Sequence, residues 1–411
     1  MEDKNITVYV ASSVGIDYFY FLQKTIAYTG SVVKSISLIS EAEYRKQARS
    51  SGTTKLWLRL KMYLVYPLFL LYTGITCKSS SIFVVSSNTF YAPYLVRKLL
   101  RYRGIKVVHM LYDLYPDALE IAGGFSHSSI ISKLIGWIAK GTQSECDGTV
   151  YLGEYLKSHA ESRWGSAVKS DVIDISTDLS QYNATFQPLP VSGPIIIHYG
   201  GQLGHLHDAQ SIISCVRMIC HSDLSGAVKF IFYTSGAQAK ILQQSLADYP
   251  VDIISTAPST QWRNDIRSFH IGLVSLSPGG ATVCLPSKTY ALMAGGLAIL
   301  TIAPLWSDLS SLVQTLDAGW VINNSRYKTT PITTDPLYLN KVRQTAPQQD
   351  ITHQFYLTIG SILNDRKMLE DKRRNAFFGI RKHYGIQNLS QKWDKLLADL
   401  SSQQHSAGDK L

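Results

Sequence analysis

The feature that most constrains this chain is an alternation that runs, breaks and starts again. Short β-branched runs are separated by longer stretches whose apolar residues recur at helical spacing. In the first half, residues 6–11, 32–39, 82–86, 105–111, 148–152 and 172–175 read as strands. Residues 18–28, 91–101, 130–140 and, more weakly, 155–163 read as the helices between them. Strands joined through helices pair in parallel, so this half is Rossmann-like. From 181 to 194 the chain turns polar and proline-bearing with no period, as an interdomain connection does. The alternation then resumes with strands at 195–199, 228–234, 251–255, 271–276, 297–302 and 320–322. Residues 323–350 read as a long loop, 363–383 and 389–400 as helices, and 401–411 as a frayed tail.

A chain of 411 residues exceeds what one core ordinarily organises. The expected division is a first domain over 1–180, the 181–194 linker and a second domain over 195–380. Residues 381–411 form a terminal helix and tail that can pack back on the first domain. The fold class is therefore α/β, with two Rossmann-like domains whose parallel sheets are expected to face each other across a cleft. Open α/β sheets bind ligands beyond the carboxyl ends of their strands, which places the active site in that cleft.

Charge narrows the partners. Forty Lys and Arg against thirty Asp and Glu give +10, which favours anionic partners such as phosphates or acidic lipid. No groove-reading module or aromatic-interleaved basic motif supports nucleic acid. The basic run at Arg366, Lys367, Lys372, Arg373, Arg374, Arg381 and Lys382 reads as a solvated helix face or a basic rim. Five cysteines without a CxxC pair argue against a disulfide framework or a zinc site and fit a cytoplasmic setting. The polar start at residues 1–5 lacks the pattern of an export signal. Residues 56–72 are strongly apolar, but the charge-free run at 62–77 contains Pro67 and Gly74 and falls short of the ~20 residues of a spanning helix. That segment is either a helix packed on the sheet or an interfacial helix with Lys55, Arg59 and Lys61 at the lipid head groups, which would put the protein at the inner face of the cell membrane.

The sharpest chemical signal is residues 285–299, where Pro286, Ser287, Lys288 and Thr289 open a helix that ends at Met293-Ala294-Gly295-Gly296. A hydroxyl, an ammonium and unpaired backbone N–H groups at a helix start suit a diphosphate. A capped helix with a solvated lysine explains the same residues as well. Ser235 and Thr256, at the carboxyl ends of later strands, are further candidates for holding a nucleobase, although ordinary turns explain them nearly as well. In the first half, Asp113 and Asp117 follow the 105–111 strand, where a carboxylate either orients a sugar or caps a loop and helix. His109, inside that strand, reads as core.

Pro286-Ser287-Lys288-Thr289-Tyr290 followed by Met293-Ala294-Gly295-Gly296 resembles the donor motif of the retaining GT-B glycosyltransferases known as family four, in the branch that builds O-antigen, capsule and exopolysaccharide. His198-Tyr199-Gly200-Gly201-Gln202-Leu203-Gly204, Tyr112-Asp113-Leu114-Tyr115-Pro116-Asp117 and Val172-Ile173-Asp174-Ile175-Ser176-Thr177-Asp178 are similar to three further motifs of that family, in the same order. The resemblance implies a GT-B fold and a nucleotide diphosphate-sugar donor, with Gly201, Gln202 and Gly204 in the glycine loop that helps hold it. It also implies a glycan or polyprenyl-linked acceptor, no metal and no resident cofactor. Transfer would be hexosyl or N-acetylhexosaminyl, with retention. The chain also departs from the pattern. Val283 and Ala291 stand where many members carry two donor-binding glutamates, Gln202 and His207 stand where two cations neutralise the diphosphate, and Tyr112 replaces a frequent histidine. Lys288 is then the cation expected to carry the phosphate charge. A 2-epimerase or hydrolase of the same fold, or a non-catalytic partner subunit, are the competing expectations.

Overall fold

Parallel pairing runs through both halves of the computed structural model, which describes residues 6–46, 52–190, 192–255 and 257–408. Residues 1–5, Thr256 and 409–411, on which the sequence reading touched, lie outside the described residues. The chain forms two units, one ending at Ile175 and resuming at Gly385, the other running from Ser176 to Tyr384.

The first unit follows the order β1 (Thr7–Ala11), β2 (Val14–Gly15), α1 (Asp17–Ala27), β3 (Val32–Ile36), β4 (Ile39–Ser40), α2 (Glu41–Lys46), α3 (Gly52–Leu60) and α4 (Tyr66–Thr76). It continues with β5 (Ile82–Ser86), α5 (Ala92–Leu100), β6 (Lys106–Met110), α6 (Asp117–Ile121), α7 (Ile130–Glu145), β7 (Gly148–Tyr151), α8 (Glu154–Trp164) and β8 (Ser170–Val172). Six strands pair in the order β3-β1-β5-β6-β7-β8. From β3 onward every crossover moves the same way across the sheet, so right-handed connections lay α4, α5, α7 and α8 on one face. The β1-to-β3 crossover runs oppositely and sends α1 to the other. Leu70, Phe83, Val96 and Val107, all fully buried, form part of the core beneath α4 and α5. Each such side chain contributes roughly 1.5–3 kcal/mol. The stretch read as one strand over 32–39 splits into β3 and β4, the latter pairing only with β2.

The second unit runs β9 (Ile195–Gln202), α9 (Ala209–Cys220), β10 (Val228–Ser235), α10 (Ala239–Ser245), β11 (Val251–Ile254), α11 (Ser259–Asp265), β12 (Ile271–Ser275) and α12 (Lys288–Ala294). Then come β13 (Ala298–Ile302), α13 (Asp308–Thr315), β14 (Gly319–Ile322), α14 (Tyr338–Val342), α15 (Gln348–Asn364) and α16 (Arg366–Tyr384). Its sheet has the order β11-β10-β9-β12-β13-β14. The expected loop over 323–350 contains α14 and the start of α15, which buries Ile351, Phe355, Ile359 and Ile362 against α9 and the sheet. The last helix, α17 (Ile386–Gly408), belongs to the first unit and packs on α1, so residues 401–408 continue a helix where fraying was expected.

The residues read as a linker are held on α16. Arg373, nearly inaccessible, donates to the Gln187 carbonyl at 3.2 Å, Arg381 donates to the Asn183 carbonyl at 2.6 Å, and the Phe186 ring packs on Phe377. Those two arginines are therefore structural clamps, unlike the solvated face expected of their cluster. None of the five cysteines forms a disulfide.

Candidate functional site: a crevice with one unpartnered lysine

The strand order of the second sheet reverses between β9 and β12, and doubly wound sheets bind ligands at that switch point. The two strands pair only at Ile197↔Ile271 and His198↔Gly272. Beyond His198, β9 continues through Tyr199 to Gln202 paired with β10 alone, which opens a crevice at the carboxyl ends. Gly201 takes φ +100°, a conformation suited to glycine, one residue before the end of the strand. Gly280 allows the closest backbone approach there: a Cβ would sit 2.1 Å from the Leu206 carbonyl oxygen. That carbonyl accepts from the Ser277 N–H at 2.9 Å, which ties the loop after β12 to the loop after β9.

Lys288 enters this crevice from the first residue of α12. Its Nζ lies 3.6 Å from the centroid of the Tyr199 ring, and its Cδ is 3.8 Å from where a Cβ on Gly201 would sit. The ammonium nitrogen is shut off from solvent and has no hydrogen-bond partner among the described residues. Burial pushes its proton affinity far below that of an ordinary lysine, with Cys284 opposing slightly. The buried hydroxyls of Ser275 and Thr289 are likewise unpartnered. Buried polar groups are normally satisfied, and an orphan costs roughly 1–3 kcal/mol, so a group left this way is a candidate for pairing with a ligand.

The neighbouring histidines supply no charge. His207 donates from Nδ1 to the Ser275 carbonyl at 2.5 Å, and burial, then the Lys288 charge, push its pKa down to about 3. His198 donates from Nδ1 to the Ile231 carbonyl at 2.9 Å and accepts from the Trp262 indole at 2.8 Å. Burial lowers it to about 4. Both are neutral near pH 7, which leaves the Lys288 amine as the group of the crevice that an entering anion would protonate.

The predicted residues distribute plainly. Gly201, Gln202, Gly204 and Ser235 gather at the ends of β9 and β10, with Ser235 opposite Gln202 in register and its carbonyl accepting from the Leu203 N–H at 2.7 Å. Lys288 and Thr289 stand on α12. Pro286 and Ser287 precede it: the helix starts at Lys288, two residues later than expected, and Ser287 makes no side-chain cap hydrogen bond. The Gln202 side chain lies on the exposed rim. Sequence reasoning missed the Tyr199 ring under Lys288 and the unpartnered Ser275 hydroxyl. The tyrosine was legible as the residue before the glycine pair, but nothing in sequence marks a ring as the floor of a lysine.

In the first unit, the backbone N–H groups of Tyr112 and Asp113 donate to Ser87 Oγ at 3.0 and 3.1 Å. Burial raises the Asp113 carboxyl to about 6, and burial, with the Asp113 charge adding to it, raises the proton affinity of Tyr18, Tyr44 and Tyr115, so the carboxylate sits in a tyrosine-rich setting. Asp117 has a different part. It accepts from His159 Nε2 at 2.9 Å, the Trp164 indole at 2.9 Å and Arg163, while Arg163 also pairs with Glu120 at 2.7 and 2.9 Å. Although burial works upward, these partners hold its pKa well below the carboxylate range, which makes Asp117 a structural anchor. His109 is buried and lowered to about 4 by burial alone. Among the described residues, no group of three or more His, Cys, Asp or Glu side chains could hold a metal ion.

The chain matches no described protein family profile. It is similar to a probable glycosyltransferase, WbjE of Pseudomonas aeruginosa, at 23% identity over 274 residues, covering 62% of this chain and 66% of that protein, just under two thirds of its length. Among solved structures, Anabaena HepE in complex with UDP superposes with a TM-score of 0.63 at 12% identity, over 96% of this chain and all of that one. The UDP-forming α,α-trehalose-phosphate synthase of Burkholderia vietnamiensis superposes with a TM-score of 0.61 at 11% identity, over 97% of this chain and all of that one. The fold is therefore the GT-B fold of glycosyltransferases, with two parallel-sheet α/β units.

Proposed function

We propose that this protein is a retaining glycosyltransferase that moves a hexose or N-acetylhexosamine from a nucleotide diphosphate-sugar to a glycan or polyprenyl-linked glycan, at the inner face of the cell membrane, in cell-surface polysaccharide biosynthesis. The observation that carries the reading is Lys288, a buried amine without a partner at the switch point of a GT-B nucleotide-side sheet. The similar HepE structure holds UDP, and WbjE is itself a probable glycosyltransferase.

A diphosphate entering the crevice meets Lys288, the Thr289 and Ser275 hydroxyls and the glycine-bearing backbone at Gly201 and Gly204. As the bond between the anomeric carbon and the diphosphate oxygen breaks, negative charge grows on the leaving group, and a preorganised ammonium in a dry site stabilises that charge most. The acceptor oxygen forms the new bond on the same face and passes its proton to the departing diphosphate. Asp113 is assigned to holding an acceptor hydroxyl.

The test is release of nucleoside diphosphate from a panel of donors supplied with membrane extract, using protein shown to be folded. Turnover with one donor supports the reading. No turnover with any donor, together with no thermal shift from saturating UDP, favours a non-catalytic subunit, because a ligand that binds only the folded state must stabilise it.

A further inference from the structure

The helical layer of the first unit turns apolar side chains outward. On α7, Ile130, Leu134 and Trp137 recur at i, i+4 and i+7 and are all exposed, Ile130 to 84%. On α4, Leu68, Tyr72 and Ile75 follow the same spacing and are also exposed. The opposite sides of these helices are buried through Leu70 and Gly74 on α4 and Ile135 and Gly136 on α7, so both already have their packing on the protein. The helices belong to one continuous layer. α5 packs against both, closely enough that a Cβ on Gly74 would strike Leu100 and one on Gly141 would strike the Tyr94 ring. Upstream, α3 adds exposed Leu56 and Trp57.

Charge identifies what covers this face. Between Glu43 and Asp113 the chain carries twelve Lys and Arg and no Asp or Glu, and no acidic residue falls between Glu120 and Glu145, where Lys133 and Lys140 stand. Lys55, Arg59, Lys78, Arg101, Lys133 and Lys140 are exposed. A second copy of this chain would set these cations against one another, so self-association through this face is disfavoured. Among the described residues no helix is long and apolar enough to cross a membrane. Outward apolar stripes with tryptophan and tyrosine, rimmed by exposed cations and with the bordering acids Glu43 and Glu145 already paired to Lys61 and Lys98, match the boundary of an anionic bilayer.

We infer that the α4–α5–α7 layer, with α3, is a docking surface for an anionic lipid bilayer, on which the protein lies without spanning it. The inference rests on the membrane clause of the proposed function and not on its chemistry.

The full-length protein is sedimented with phosphatidylcholine vesicles and with vesicles in which about one third of the lipid is phosphatidylglycerol. Binding is expected only to the anionic vesicles, weakening as salt rises. L134E/W137E, and separately L68E/Y72E, are expected to lower the bound fraction about tenfold, as carboxylates placed at an anionic surface should. K133E/K140E tests the same face without touching its apolar stripes. The UDP-induced thermal shift, read in parallel, reports the fold and the donor site. The inference is overturned if the wild-type protein ignores anionic vesicles, or if all three variants bind as the wild type does. It is equally overturned if ultracentrifugation reveals a dimer that these substitutions dissociate. A variant that loses vesicle binding but keeps the UDP shift supports it. A wild type that binds vesicles but shows no UDP shift separates failure of the donor reading from failure of this one.

Discussion

Replacing Lys288 with methionine should move ligand-free stability and nucleotide affinity in opposite directions. In the ligand-free protein the amine is buried over the Tyr199 ring without a hydrogen-bond partner. Such an orphan costs roughly 1–3 kcal/mol. The ring returns on the order of 1–2 kcal/mol when the lysine is charged. Methionine fills nearly the same volume without a polar end, so the net change is a gain of about 1 kcal/mol, or a Tm rise of about 2–4 °C for a unit of this size. Nucleotide affinity should fall, because a hydrogen bond to a charged group is worth about 1.5–3 kcal/mol, equivalent to roughly a 10- to 150-fold rise in Kd. Titration calorimetry with UDP and a thermal melt without ligand read the two effects. Proton linkage adds a third reading. Burial holds the lysine's proton affinity far below the ordinary range, so the ligand-free fold binds fewer protons than the unfolded chain, and stability rises with pH across that window. A bound diphosphate restores the proton. UDP binding should therefore take up protons, and its affinity should fall as pH rises through the same window. The reasoning is refuted if the variant binds UDP with wild-type Kd, or if its ligand-free Tm drops by several degrees.

Four histidines predict acid sensitivity: His109, His198 and His270 are lowered to about 4 and His207 to about 3, chiefly by burial. Below about pH 6.5 the unfolded chain takes up protons that the fold refuses, so stability falls by roughly 2 kcal/mol per residue between pH 7 and 5, read as a lower urea midpoint. Asp113, raised to about 6, opposes this weakly, and an unchanged midpoint at pH 5 would contradict the burial argument. Arg163→Ala strands the buried Asp117 and Glu120 carboxylates and should cost about 3–5 kcal/mol in urea unfolding of the first unit while leaving UDP affinity unaltered. Gly280→Ala drives a Cβ to 2.1 Å from the Leu206 carbonyl and should cost about 1–3 kcal/mol and weaken UDP binding, whereas Gly204→Ala, with nothing within 4 Å, should leave the melt nearly unchanged.

The strands were the most legible part of the chain. Those at 82–86 and 298–302 are runs of apolar and β-branched residues buried on both sides, and such runs declare a parallel sheet locally. Helix α15 was not legible, because Gln348-Gln349-Asp350 and Gly360 mask a stripe at 351, 355, 359 and 362 that only α9 and the sheet complete. Likewise Arg373 and Arg381 look like solvated charges until Asn183 and Gln187 come back to meet them.

By itself the sequence determined the paired α/β architecture and singled out Lys288, because periodicity, turn residues and an unusual helix start are properties of neighbouring positions. Only the tertiary structure decided which groups surround that lysine, that His207 and His198 beside it are neutral, that Asp117 is an anchor, and that two helices turn their apolar stripes outward. Each of these depends on burial or on partners distant in sequence, and burial is a property of the folded surroundings.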